Sequence, residues 1–366
     1  MKFNVLILGA SYGSLLATKL LMAGHHVTLV CTGPTAALIN REGTRLRFPI
    51  KGRDGMLEIA STTLEGRLDA CTPATAQPEK YDLVVLGMQE SQYGAPGVRE
   101  LMARIARSGT PCLAIMNMPP LPYLERIPGL DSRALRSSYA DPAVWEDFDP
   151  ALVTLASPDP QAFRPPEEAK NVLQVGLPTN FKAARFEGEH HTGMLRQLEA
   201  DIEAARFEDA SGPIEVPVKL KVHDSIFVPL AKWPMLLAGN YRCIRADGMV
   251  PIREAVHGNL AESREVYEWV VRLCLGLGAV RDDLVPFEKY AAAASGLAKP
   301  SSAARALFGG AEHIERVDNL VREIASLQAA RCDVLDQTVA LIDARLGINR
   351  ARNSAQHSEQ AMERAA

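Results

Sequence analysis

The chain has 366 residues, of which 47% are hydrophobic and 23% charged, and a formal net charge of −4 at pH 7. That length exceeds what one hydrophobic core usually organises, so two domains are expected. The nearly balanced charge argues against nucleic acid or an anionic membrane as the principal partner.

The six cysteines, Cys31, Cys71, Cys112, Cys243, Cys274 and Cys332, are scattered without CxxC pairs, which fits reduced thiols in a reducing compartment. The apolar run after Asn4 is too short for a signal-peptide core, and no stretch approaches about 18 apolar residues. The expected address is therefore the cytoplasm, with no membrane partner.

Residues 5–8 form a continuous apolar run ending at Gly9, the pattern of a strand buried on both faces of a parallel sheet. Leu15, Leu16, Lys19, Leu20 and Ala23 follow at helical spacing up to Gly24, and residues 26–30 read as a second strand. This is one strand–helix–strand unit. Residues 82–86 and 112–116 repeat the buried-strand pattern, and residues 45–50 and 56–62 flank a Gly52-Arg53-Asp54-Gly55 turn as a predicted hairpin. Between 137 and 181, short segments such as 151–155 and 171–175, separated by prolines, read as added antiparallel strands. Beyond 185 the pattern turns helical, with predicted helices at 194–206, 226–239, 252–276, 285–294 and 312–346. The expected domains are 1–184 and 185–348, followed by a polar, alanine-rich tail at 349–366 expected to be disordered.

Gly9-Ala10-Ser11-Tyr12-Gly13-Ser14 lies between the first strand and the first helix. A pyrophosphate needs such a junction: a tight turn without bulky Cβ atoms, backbone N–H donors, and the positive end of a helix. The two glycines stand four apart, so that, against the usual G-x-G-x-x-G spacing, either the loop is one residue shorter or Ser11 takes the middle role. The fold class expected is α/β, an N-terminal Rossmann-type domain with added antiparallel strands followed by an all-helical C-terminal domain. After the second strand stands Cys31-Thr32-Gly33-Pro34-Thr35, with no acid to bind a ribose 2′-hydroxyl. Thr32 and Thr35, with Arg41 or Arg45 in reach, favour NADP over NAD.

The run LILGASYGSLLATKLLMAGHHVTLV resembles the opening of the ketopantoate reductase (2-dehydropantoate 2-reductase) family. DLVVLGMQESQ, CLAIMNMPP, AKWPMLLAGN and KPSSAARALFGGAEHIERVDNL resemble further family segments in the same order, so that the resemblance spans roughly residues 3–330. It implies an NAD(P)-dependent reductase that converts a 2-oxo acid or related carbonyl to the hydroxy acid, with a helical second domain similar to the C-terminal domain of 6-phosphogluconate dehydrogenase. Carried onto this sequence, it makes Lys232 the proton donor, and places Asn117 near the nicotinamide and Gln89 in the cofactor loop. Asn240, Ser301 or Ser302, and Glu315 or Glu312 then contact substrate, Glu315 being preferred because HIERVDNL follows the family pattern better.

The residues themselves give partial support. A lysine beside Trp233 on an apolar helix has its charged form disfavoured, which suits acid–base work near neutral pH, and Asn240 follows it by about two helical turns. Structural alternatives stand beside each: a snorkelling lysine, a turn asparagine before Met118-Pro119-Pro120, helix-capping serines and a solvated glutamate. Glu189-His190-His191 and His223-Asp224-Ser225 lack the spacing of a metal site or a nucleophile triad, and no metal is expected.

Gln89, Leu236 and Thr32 replace a lysine, an asparagine and an arginine common in the family, which leaves the substrate open. An opine-type dehydrogenase, reducing the imine of an amino acid and a 2-oxo acid, and a non-catalytic nucleotide-binding protein are the alternatives. The apolar run Trp269-Val270-Val271 with Leu273 is compatible with a homodimer interface or with ordinary core residues.

Overall fold

A computed structural model describes residues 2–210 and 212–365, with side chains described through residue 356. The chain forms two compact units, one of Met1–Ile127 with Asp141–Pro229, the other of Pro128–Ala140 with Leu230–Ala366.

The first unit opens with β1 (Asn4–Leu8), α1 (Gly13–Met22), β2 (His26–Val30) and α2 (Gly33–Glu42). The hairpin β3 (Arg45–Pro49) and β4 (Met56–Ala60) follows, then β5 (Leu68–Cys71), β6 (Leu83–Leu86), α3 (Val98–Ser108), β7 (Cys112–Ile115) and α4 (Leu121–Leu124). The unit continues with β8 (Val153–Ser157), β9 (Gln161–Phe163), β10 (Val172–Leu177), β11 (Phe181–Ala184), α5 (Glu189–Ala204), β12 (Phe207–Asp209), β13 (Gly212–Ile214) and β14 (Leu220–His223).

Eight strands make the main sheet in the order β14-β11-β8-β7-β6-β1-β2-β5. From β8 to β5 all neighbours are parallel, while β11 runs antiparallel to β8 and parallel to β14. The apolar runs of β1, β6 and β7 are buried almost throughout because helices cover both faces of such a sheet. Strand order reverses between β1 and β6, whose ends meet at Leu8 opposite Leu86. The carboxyl ends at such a switch point are where open α/β sheets bind ligands.

The predicted hairpin is present, Arg45 pairing with Ala60. It belongs to a second sheet, β4-β3-β10-β9. One expectation needs correction: β8, read as an added antiparallel strand, is parallel to β7 in the main sheet and antiparallel only to β11, and β10, at the other segment so read, pairs parallel with β3 and antiparallel with β9.

The first unit also extends past the expected boundary at 184, to Pro229. The cause is packing. Leu195, Leu198 and Ile202 of α5 and Val216, Val218 and Leu220 join the same buried core as β1 and α1, and Lys19 of α1 donates to the Val216 carbonyl (2.7 Å).

The second unit is helical: α6 (Lys232–Met235), α7 (Ile252–His257), α8 (Leu260–Gly276), α9 (Phe287–Ala294), α10 (Ser302–Phe308), α11 (Val317–Leu327) and α12 (Asp333–Ala365). The predicted helix at 252–276 is divided because the Asn259 side chain caps α8, accepting the Glu262 N–H (3.2 Å). The predicted helix at 312–346 starts only at Val317 and breaks between α11 and α12. The expected disordered tail is also corrected, since α12 runs to Ala365, Ala366 lying outside the described residues. Asn349 anchors it, its buried amide donating to the Leu307 and Ala311 carbonyls (2.8 Å each).

All six cysteines are unpaired thiols. No helix among the described residues is long and apolar enough to cross a membrane.

Candidate active site

In the first unit the chain turns sharply at the end of β1. Gly9 adopts φ +99°, a conformation that L side chains rarely take, and its N–H donates to the Val30 carbonyl (3.0 Å). A Cβ there would stand 2.7 Å from Met88 Cγ and 3.0 Å from the Gly87 oxygen. At Gly13 a Cβ would stand 2.6 Å from Ile7 Cγ2, so this glycine lets α1 press against β1. Gly87, at the end of β6, would place a Cβ 3.1 Å from the Leu8 oxygen and 3.6 Å from Gly13 Cα. Three glycines, two at strand ends and one opening α1, thus meet at the switch point. Gly87 escaped the sequence reading because it is remote in sequence, although LVVLG copies the apolar-run-then-glycine pattern of VLILG.

No side chain caps the N-terminus of α1, and its first turn holds no acidic residue. A carboxylate there would compete with a bound anion, so this donor set fits a pyrophosphate. The other loop residues divide by role. Ser11 is exposed and Ala10 buried. Ser14 is buried and turns its hydroxyl back onto the Ser11 carbonyl (2.7 Å), which closes the loop internally. Tyr12 donates to the Pro160 carbonyl (2.7 Å), linking the loop to the residue before β9.

At the end of β2, Thr32 is exposed and donates to Thr35 Oγ1 (3.0 Å). The expectation that Arg41 or Arg45 reaches this point is corrected. Arg41, in the last turn of α2, holds Glu42 (2.7 Å), and Arg45, in β3, faces Glu58 and Glu168 (3.8 and 3.9 Å). Gln89 is exposed, and its N–H is bound to Gln92 Oε1 (3.0 Å) in a short turn. Asn117 is half-buried two residues beyond β7, at the same carboxyl edge of the sheet as Gly9 and Gly87.

In the second unit Lys232 opens α6 and is half-buried rather than dry, while its neighbour Trp233 is fully buried. The helix continues as a π turn over Leu236–Asn240 and a tight turn over Tyr241–Cys243. On a plain α-helix Asn240 would sit about 80° around the axis from Lys232. A π turn, whose bonds span five residues, slows that rotation and brings Asn240 back toward the lysine's face.

The π turn has a visible cause. Tyr290 donates to the Met235 carbonyl (3.0 Å), and a Cβ on Gly239 would lie 2.0 Å from the Tyr290 hydroxyl. Leu236, where the family resemblance implies an asparagine, is buried.

Asn240, Ser301 and Glu315 converge through the backbone. Ser301 donates to the Asn240 carbonyl (2.7 Å) and caps α10 by accepting the Ala304 N–H (3.1 Å). The capping alternative thus describes Ser301, whereas Ser302 is exposed at the start of α10. Tyr241 donates to the Glu315 carbonyl (2.5 Å) and accepts the Val317 N–H (3.1 Å). Next to it, Arg316 grips the fully buried Asp318 (3.0 Å) and reaches Asp343 (2.6 Å). Burial pushes the Asp318 carboxyl up against the pull of Arg316.

Glu315 therefore lies in the held irregular segment before α11, not on a helix. Glu312 accepts from Asn353 Nδ2 (2.7 Å). Tyr241 and Arg316, which hold this segment, had no sequence signal, because their partners lie far along the chain.

No protein-family model and no curated protein matches the chain. Solved structures do share its fold. A 2-dehydropantoate 2-reductase from Methylococcus capsulatus is similar over 94% of this chain and 97% of its own, at 14% identity and a TM-score of 0.65. A D-mandelate dehydrogenase, solved with NADH and anilino(oxo)acetate, is similar over 95% and 99% at 13% identity and a TM-score of 0.63. A dimeric ketopantoate reductase from Staphylococcus aureus is similar over 94% and 99% at 11% identity and a TM-score of 0.57. The chain thus has the ketopantoate-reductase fold: a Rossmann-type sheet followed by a helical C-terminal region.

Proposed function

We propose that this protein is an NAD(P)H-dependent oxidoreductase that reduces a 2-oxo acid to the corresponding 2-hydroxy acid. The observation that carries the reading is the glycine-lined, uncapped N-terminus of α1 at the switch point of the parallel sheet. The fold likeness to ketopantoate reductases and to a D-mandelate dehydrogenase solved with NADH supports it.

The nicotinamide, when bound, supplies a hydride. The chain's own residues do the rest. Backbone N–H groups at residues 11–13 hold the pyrophosphate, and Asn117, at the carboxyl edge of β7, orients the ring end. Lys232 delivers a proton to the carbonyl oxygen, and Asn240 and Glu315 hold the substrate, fixed by Ser301, Tyr241 and Arg316 from behind. NADP is the favoured cofactor, because no acid follows β2 to claim a free ribose hydroxyl. A homodimer is the proposed assembly, as in the dimeric Staphylococcus aureus protein.

The test is oxidation of NADPH and NADH by wild type and Lys232→Ala across a panel of 2-oxo acids. Loss of a general acid is expected to lower kcat by about 10²–10⁴ with nucleotide affinity retained. Unchanged turnover by the variant would remove Lys232 from the mechanism.

A further inference from the structure

The second unit holds a cleft that plays no part in the reduction proposed above. It lies between the end of α10 and α12, with a volume of about 330 Å³, within the range of small-molecule pockets. Arg345, Asn349, Arg352 and Asn353 of α12 line it, together with Phe308 and Gly310. At four, seven and eight residues from Arg345, the other three α12 residues share its helix face.

The polar groups of the cleft favour an anion. Among the described residues no carboxylate lines it, and neither Arg345 nor Arg352 has a carboxylate partner. The Arg345 guanidinium carbon stands 4.6 Å from the centroid of the Phe308 ring, a cation–π contact that fixes the plane of the group and leaves its N–H edges for other partners. Its Nε is buried without an acceptor, and an unpaired buried donor costs free energy that an incoming acceptor recovers.

The carbonyls at the end of α10, which would repel such an anion, are already covered. Asn349 donates to the Leu307 and Ala311 oxygens (2.8 Å each), and Asn353 to the Gly310 oxygen (3.3 Å). Both amides thus spend Nδ2 on the backbone and keep Oδ1 as an acceptor, although Asn349 is only 4% exposed. Two guanidinium charges match a dianion, and acceptor oxygens beside them match hydroxyl groups on its body.

We propose that this cleft binds a small hydroxylated phosphate monoester of the sugar-phosphate class, with Arg345 and Arg352 on the phosphate and the Asn349 and Asn353 Oδ1 atoms on hydroxyl groups. All of these residues belong to the second unit, so binding here does not depend on the dinucleotide reading.

Titration calorimetry of the full chain with ribose 5-phosphate, inorganic phosphate and malate tests it, on wild type, Arg345→Gln, Arg352→Gln and Arg352→Lys. Arg352 is exposed, so its variants leave the buried core untouched. Ribose 5-phosphate is expected to bind wild type saturably and more tightly than the other two probes. Each Gln variant is expected to weaken it roughly tenfold to a hundredfold, and Arg352→Lys less. No binding by wild type, or inorganic phosphate or malate bound as tightly as the ester, would overturn the assignment. So would an affinity that Arg352→Gln leaves unchanged, the result expected if the ester sat at the glycine loop instead.

Discussion

Lys19 shows how far a single buried side chain can shape this fold. It lies on α1, the helix that follows the glycine loop, is 1% exposed, and donates to the Val216 carbonyl. Burial, with Lys219 adding repulsion, brings its pKa from 10.5 down to about 7. Between those values the unfolded chain binds a proton that the folded chain does not, so stability rises with pH across that window. Below about pH 7 both states are protonated and the full penalty applies. Lys19→Met is therefore expected to raise stability on the order of 3 kcal/mol at pH 6, after the lost hydrogen bond is deducted, with the gain fading toward pH 10. Denaturation midpoints of both proteins across that range check this, and a pH-independent difference would contradict it. In sequence, Lys19 looked like one more residue on an amphipathic helix; nothing local showed that the segment around Val216 covers it. Gly9 and Gly13, by contrast, were legible because their strand and helix lie next to them. Ser301 and Glu312 shared their motifs with the residues around them, and their hydrogen bonds to Asn240 and Asn353 could not be read from those motifs.

The element that most needed three dimensions is the helix carrying Lys232 and Asn240. Both residues were visible in AKWPMLLAGN, but their phase was not, because the π turn depends on Tyr290, whose hydroxyl meets the Met235 carbonyl across 55 residues of sequence. Gly239→Ala would drive a methyl group into that hydroxyl. Overpacking of this kind costs about 1–3 kcal/mol, and here it also shifts Asn240 relative to Lys232. The single variant is expected to lose stability and kcat, and Tyr290→Phe in the same chain to restore stability by removing the clashing oxygen. A double-mutant cycle on the unfolding midpoint reads the coupling, and strict additivity would show that the two residues do not meet as described.

At the scale of the whole molecule, the alternation of strands and helices announced a Rossmann-type first unit, and the fold likenesses agree with it. The expected boundary at 184 followed the last obvious strand signal. β14 was missed because a four-residue strand carries little pattern of its own, and α5, expected as a helix at 194–206, was assigned to the second domain; only the shared core with α1 claims both for the first unit. The polar end at 349–366 read as a tail because a helix held by Asn349 and Asn353 amides needs no apolar stripe there. The central claim, that this fold reduces a 2-oxo acid with a nicotinamide dinucleotide, is tested most directly by following the hydride itself. With NADPH deuterated at the transferred position of C4 and a panel of 2-oxo acids, the account expects deuterium at C2 of a 2-hydroxy acid, formed in step with NADPH consumed. Firm binding of NADPH without deuterium transfer to any 2-oxo acid would contradict it.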